Sequence, residues 1–278
     1  MSVEILVYLL IGANVLFSWQ GFGNSALFDK YKFRIGNILS GKEYIRMFSS
    51  TFLHGDMTHL LVNMIALYSF GLAMGYSIST TQFAILYGVS LLAGNFLSLF
   101  FNKHNYNYSA VGASGAVSGV VFASVLFYPD GNVLLFFILP LKTWVFGILY
   151  LLYSVYGMNK QSDNIGHEAH LGGAVAGVFL ALAFEPSLAM KNWWLTAALL
   201  IIPLIMFFIK PKGAQSGNRF TVFNDNEPKR TKRSIDDLYY NKEFEREKEL
   251  NALLDRVNEF GVESLSAAEK TRLHELSK

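Results

Sequence analysis

Ser114 stands in Gly112-Ala113-Ser114-Gly115 at the head of an apolar stretch, and His170 opens another such stretch more than fifty residues later. A serine hydroxyl is a poor nucleophile until a positioned base takes its proton, so a serine with a histidine is the smallest kit for acyl transfer. Hydrocarbon holds almost no water to complete a hydrolysis. A site built from these two residues therefore needs a cavity that admits water. A third cluster, His54-Gly55-Asp56-Met57-Thr58-His59, precedes Asn63, and the spacing of four places His59 and Asn63 on one helical face.

The elements that must carry these groups are membrane helices. The chain has 278 residues, 52% of them hydrophobic and only 16% charged, against about 25% charged in a soluble domain. A spanning helix takes about 20 mostly apolar residues. That criterion places spans near Val3 to Trp19, Met57 to Ser77, Gln82 to Phe101, Ala110 to Tyr128, Leu141 to Tyr156, Ala169 to Ala183 and Trp193 to Ile209. Pro140 and Lys142 interrupt the start of the fifth, so Val133 to Leu139 is expected at the interface with Lys142 snorkelling. Pro203 makes the seventh the weakest. The amino terminus lacks the positive flank of a secretory signal and reads as a retained span. Gln20 to Asp56, which mixes Lys30, Lys32, Arg34, Lys42 and Arg46 with aromatics, reads as a half-buried interfacial loop.

After Lys210 the composition turns charged. Gly213 to Arg233 is expected to be a linker with a solvated basic run, Lys229 to Arg233. Ile235 to Phe260 carries Leu250, Leu253, Leu254 and Val257 at helical spacing, with Gly261 as a stop. The capping box Ser266-Ala267-Ala268-Glu269 then opens a last helix.

A net charge of +2 is too small to suggest a nucleic-acid partner. No zinc or dinucleotide spacing is present. Without cysteine there is no disulfide and no thiolate chemistry.

Parity brings the polar groups together. The second, fourth and sixth spans run in one direction, so His59, Asn63, Ser114 and His170 lie at similar shallow depth. His170 can accept the Ser114 proton, and Asn63, His59 and the Ser114 amide can donate to an oxyanion. Glu168 lies two residues from His170, on another helical face, which leaves a Ser/His dyad. Gly115 and Gly119 follow Ser114, while Gly173 and Gly177 follow His170; such small-xxx-small faces permit close helix approach. Each feature alone has a plainer reading. A lone serine packs helices, a lone histidine is structural, and His59 with Asn63 can simply bridge helices. His104, His167 and His274 read as solvated surface.

Taken together, Glu43-Tyr44-Ile45-Arg46, His54, His59 with Asn63, Gly112-Ala113-Ser114-Gly115, and His170-Leu171-Gly172-Gly173 with Gly177 resemble the rhomboid family of intramembrane serine proteases, over roughly Val3 to Glu185. The resemblance implies an all-α membrane protein with a six-helix catalytic core over 1–187; apolar run length and composition extend it by a seventh transmembrane helix over 188–210, a polar linker over 211–234 and a soluble helical hairpin over 235–278. It assigns Ser114 as nucleophile, His170 as base, His59 and Asn63 as oxyanion side chains, and Arg46, His54, Gly112, Gly115, Gly173 and Gly177 as structural support. It also implies transmembrane protein substrates cleaved without metal or cofactor, with the lipid bilayer as the other partner. The tail's partner is not encoded.

Three positions depart from the family pattern. Ile45 replaces a usual tryptophan, Ser118 replaces an aromatic that packs on the catalytic histidine, and Gly75 replaces a frequent glutamate. These bear on histidine packing and on the anchoring of the fourth span. The alternative is a catalytically silent rhomboid-like protein that binds transmembrane helices; a transporter would need paired intramembrane carboxylates or discontinuous helices. The expected location is a bacterial-type inner or plasma membrane. If all seven helices span, the basic first loop and tail share one side, and the charge rule would make it cytoplasmic. The family arrangement instead opens the site on the non-cytoplasmic side.

Overall fold

Local capping starts several helices where the sequence puts a short polar side chain before an apolar run. Asp56 accepts a hydrogen bond from the His59 amide at 2.8 Å, and Ser79 with Gln82 forms a reciprocal capping box. In the computed structural model the chain divides into two units, Met1–Phe223 and Asn224–Lys278. The structure describes residues 1–135, 138–160 and 165–208 of the first, and residues 246, 249, 250, 253, 257 and 262–276 of the second.

The first unit runs α1 (Val3–Gly23), α2 (Ser25–Tyr31), β1 (Phe33–Arg34), α3 (Ile35–Leu39), α4 (Arg46–Ser49) and a 3-10 turn (Ser50–Phe52). It continues with α5 (Met57–Met74), α6 (Thr80–Asn102), β2 (Ser109–Ala110), α7 (Ser114–Phe127), β3 (Asn132–Leu135) and β4 (Leu139–Lys142). Last come α8 (Thr143–Lys160), α9 (His167–Phe184), α10 (Ser187–Lys191) and α11 (Trp193–Phe208). Helices α1, α5, α6 and α9 are long and apolar enough to cross a membrane; α7, α8 and α11 contain shorter apolar stretches. This is an all-α membrane bundle.

The bundle is apolar outside as well as inside. Leu9, Leu16, Phe96 and Phe179 are exposed on its surface, while Asn14, Ser18, Ser90 and Ser118 are buried within it. That distribution suits lipid, where an apolar surface costs nothing and a polar one must find an internal partner. The centre is the trio α6, α7 and α9. Glycines set its spacing: a Cβ at Gly173 would lie 1.9 Å from the Gly115 carbonyl oxygen, and one at Gly177 would lie 2.2 Å from that of Gly119. Gly172 likewise faces the Ala93 carbonyl of α6, at 2.5 Å from such a Cβ. The small-residue faces read from the sequence are therefore backbone-to-backbone contacts.

Several elements differ from expectation. The fifth helix begins at Thr143, because Asn132–Leu135 and Leu139–Lys142 pair as an antiparallel hairpin, Leu134 opposite Pro140. The first loop is a set of short helices, with β1 pairing to β2 at Phe33 and Ala110. Pro203 does not stop α11, which continues to Phe208 and packs against α8 and α9. His167 is no surface loop residue. It opens α9 at 2% exposure, against Tyr153 and so close to Gly157 that a Cβ there would overlap its ring.

In the second unit Leu253, Leu265 and Leu276 form a small buried cluster with Leu250, Val257 and Leu273 around it. The expected capping box is present: the Ser266 amide donates to Glu269 Oε2 at 2.8 Å, and the Glu269 amide donates back to Ser266 Oγ at 3.3 Å. Arg272 donates to both Glu249 oxygens, raising its own already high pKa and lowering that of the Glu249 carboxyl. The linker Gly213 to Arg233, the basic run Lys229 to Arg233, Leu254 and the stop at Gly261 lie outside the described residues.

A methyl group at Gly173 has no flexible neighbour to push aside, because it meets a backbone carbonyl. Gly173→Ala is expected to destabilise the bundle by about 2 kcal/mol or more, as overpacking does. Gly88, where an added Cβ meets nothing within 4 Å, serves as the control, with Gly88→Ala within about 0.5 kcal/mol of wild type. Thermal unfolding in detergent reads both.

Candidate functional site

Arg46 organises the loop that precedes the site. It is buried, its Nε donates to Glu43 Oε2 at 2.6 Å, and its Nη1 donates to the carbonyls of Asp29 and Lys32 at 2.6 and 3.0 Å. Burial alone would raise the Glu43 carboxyl, but hydrogen bonds from Asn37 and Arg46, with the Arg46 charge, bring it below its ordinary value. The guanidinium thus ties three turns of an otherwise loosely connected loop. Asn95 of α6 fastens that loop to the bundle, donating to the Met47 carbonyl at 2.6 Å.

His54 carries the connection on to the turn before Ser114. Its Nε2 accepts from the Ala113 amide at 3.3 Å, so its proton is placed on Nδ1, which lies 2.9 Å from Ser18 Oγ. Ser18 can accept that proton while donating its own to the Phe52 carbonyl at 3.0 Å. One imidazole therefore links α1, the first loop and the residue before Ser114. Burial first, and the neighbouring His59 second, press its pKa down to about 3. It stays neutral, which the accepting Nε2 requires.

The turn into α7 follows from Gly112. Its φ is +125°, a region that L side chains rarely adopt, and a Cβ there would come 2.7 Å from the His59 ring. Its amide donates to the Ser50 carbonyl at 3.0 Å. The chain can then place Ser114 at the first position of α7, whose start has no side-chain cap. Uncapped amides at a helix amino terminus carry partial positive charge and favour an anion.

Ser114, His170, His59 and Asn63 all border one cavity of about 1070 Å3. The four residues selected from the sequence thus line the same cavity. Asn63 Nδ2 donates to the His59 carbonyl at 2.9 Å on its own helix, and the amide retains a second hydrogen for another acceptor. The cavity wall is polar around Thr58, His59 and Ser114 and apolar further along α5, α7 and α8, at Ala66, Val121 and Phe146. Gly115 and Gly173 stand where α7 and α9 touch; Gly119 and Gly177 repeat the contact one turn deeper. Glu168 is buried and does not border the cavity.

At two of the three departures a neighbouring helix brings up a related group. Ile45 is 61% exposed on the loop's outer edge, apart from the Arg46 network. Over Gly75 lies the Glu4 carboxylate of α1, 3.2 Å from where a Cβ would stand. The far end of α7 is anchored by Tyr128, whose hydroxyl donates to the Ala73 carbonyl at 3.1 Å. Opposite Ser118, Tyr150 of α8 places its hydroxyl 2.7 Å from Ser118 Oγ and its ring 5.7 Å from that of His170. Tyr150 escapes sequence reasoning, because it is one of several aromatics in α8 and no spacing links it to α9. Ser18 and Asn95 escape it for the same reason. His104 and His274 are exposed, as expected.

The model of the Rhomboid domain matches residues 41–187, and a model described as a family of unknown function (DUF6576) matches residues 233–278. The chain is 33% identical over 181 residues to Rhomboid protein 1, mitochondrial, of Saccharomyces cerevisiae, covering 62% of this chain and 51% of that protein. It is 26% identical over 209 residues to Rhomboid protease GluP of Bacillus subtilis, covering 75% and 38%. To human Presenilin-associated rhomboid-like protein, mitochondrial, it is 31% identical over 152 residues, covering 52% and 39%. The chain spans about half the length of the curated relatives it matches, or less. With several relatives named as mitochondrial, these similarities do not support the expected bacterial-type membrane over another.

The His54 network makes stability depend on pH in a definite direction. The unfolded histidine titrates near 6.5 and the folded one near 3, so between those values the unfolded chain binds a proton that the folded chain refuses. His54's contribution is full above about pH 6.5 and falls by up to about 1.4 kcal/mol per pH unit below it. His54→Gln should lower stability at neutral pH and flatten this part of the acid slope. Melting temperatures of both proteins between about pH 7 and pH 4 provide the comparison.

Proposed function

From the premise that this chain belongs to the rhomboid family, we propose that it is an intramembrane serine endopeptidase working through Ser114 and His170. The observation that carries this is the meeting of Ser114, His170, His59 and Asn63 on one cavity large enough for water and an extended peptide. The Bacillus subtilis relative, named a rhomboid protease, is consistent with it.

In this reading a transmembrane substrate unwinds locally beside the cavity and presents a peptide carbonyl to Ser114. His170 takes the hydroxyl proton as Oγ attacks the carbonyl carbon. The oxyanion that forms receives hydrogen bonds from the Ser114 amide and from His59 and Asn63 at the start of α5. The carbon–nitrogen bond breaks as His170 passes its proton to the departing amine, leaving an acyl ester on Ser114. Water then enters from the polar mouth, and His170 takes one of its protons as it attacks the ester. Collapse of this second intermediate returns the proton to Ser114 and frees the new carboxyl end. Arg46, His54 and Gly112 act at a distance, by fixing the loop and the turn on which Ser114 stands.

The division into a catalytic core over 1–187, a seventh transmembrane helix over 188–210, a linker and a soluble hairpin belongs to the same proposal. So does an active site that opens on the non-cytoplasmic side.

Wild type and Ser114→Ala, reconstituted in lipid with a panel of single-span proteins, provide the test. Wild type should cleave at least one, and Ser114→Ala and His170→Ala should each lose at least about a thousandfold in rate. Cleavage surviving in Ser114→Ala overturns the assigned nucleophile. Binding of substrate helices by a wild type that cleaves none would favour the catalytically silent reading. A reporter fused after Lys210 is expected on the same side of the membrane as the active site.

A further inference from the structure

We infer that Tyr150 is a positioning residue for His170, held in place by Ser118, so that the aromatic wall against the base comes from α8. This rests on the Ser114/His170 reading and adds to it a cavity-lining group that acts through the base.

The argument begins with what the base needs. A histidine side chain has a broad second torsion, so an imidazole on a cavity wall can turn its nitrogens away from the serine unless something fixes its plane. Proton transfer depends on that plane, and a displacement of about 1 Å in such a group costs on the order of a hundredfold in rate. Ser118, one turn beyond Ser114 on α7, has too short a side chain to supply an aromatic face.

Tyr150 fits the need from the neighbouring helix. Its ring meets that of His170 with centroids 5.7 Å apart and planes at 66°, within the range of edge-to-face contacts. The ring is itself braced on two further sides, by Phe122 of α7 at 5.5 Å and Phe146 of α8 at 6.0 Å. Its hydroxyl, which would otherwise lie unpaired among apolar groups, is 2.7 Å from Ser118 Oγ, and Ser118 is fully buried. A serine at position 118 therefore has a use that an apolar residue would lack: it anchors the far end of the tyrosine that braces the base. The two positions act as one unit across α7, α8 and α9.

Four single variants test the assignment in the full-length protein in lipid: Tyr150→Leu, Tyr150→Phe, Ser118→Ala and, as reference, Ser114→Ala. The readouts are kcat and KM on a cleaved single-span substrate, and the rate at which a small fluorophosphonate labels Ser114. Tyr150→Leu should lower kcat and the labelling rate together by about 30-fold, leaving KM within about threefold. Tyr150→Phe and Ser118→Ala, which keep the ring and remove its anchor, should each lose about three- to tenfold in kcat, less than Tyr150→Leu, and wild-type kcat in both overturns the part given to Ser118.

Wild-type kcat and labelling in a folded Tyr150→Leu overturn the inference, as does a loss expressed in KM alone. Tyr150→Phe as slow as Tyr150→Leu would make the hydroxyl the working group and overturn the role given to the ring. If Tyr150→Leu does not fold, Tyr150→Met, closer in volume, takes its place with the same expected loss. The two levels of the argument fail separately. Activity that survives Ser114→Ala removes the dyad reading, whereas an inactive Ser114→Ala beside a fully active Tyr150→Leu removes only the positioning role.

Discussion

The backbone contact between α7 and α9 is the constraint on which the rest of the site depends. Gly115 and Gly173 bring the two helices so near that a single methyl group would overlap a carbonyl oxygen, and Gly119 with Gly177 repeats the contact one turn on. In lipid there is little hydrophobic gain from joining two apolar helices, so close van der Waals packing is the main attraction available. The same closeness is what lets a serine, with the shortest hydroxyl side chain, share a cavity with a histidine on another helix. Packing and chemistry here follow from the same missing side chains.

The second requirement is that the residues before Ser114 hold still. They do not belong to a long helix, so their geometry has to come from hydrogen bonds. Arg46 closes the first loop on itself, Asn95 fixes the loop to α6, and His54 reaches from Ser18 on α1 to the Ala113 amide. An unmet donor or acceptor in such surroundings costs about 1–3 kcal/mol, so each link has few alternatives. The network is neutral at its centre, because a buried His54 is held far below its ordinary pKa. The loop outside the spans thus acts as a rigid mount for the turn on which Ser114 stands.

The positions that break the family pattern show how a tertiary structure can meet one need from different places. Glu4 brings a carboxylate over Gly75, and Tyr150 brings an aromatic ring to His170 while bonding to the serine that stands where the ring usually starts. The identity of residue 75 or 118 alone misjudges both regions. What physics requires is a group at a point in space, and neighbouring helices compete on equal terms to supply it.

Much of this could be read from the chain. Apolar run lengths gave the helices of the bundle to within a few residues, and parity brought the polar starts of α5, α7 and α9 to one end. Spacing put His59 and Asn63 on one face, and the glycine repeats marked the helix contacts, because these features depend only on the helical period and on side-chain size. The hairpin at Asn132–Lys142, the burial of His167, and the parts played by Ser18, Asn95 and Tyr150 were decided by the tertiary structure. Each of these depends on which helix lies next to which, and at what rotation. Local sequence sets a helix and its faces, but the partner of a face is chosen only when the whole bundle packs.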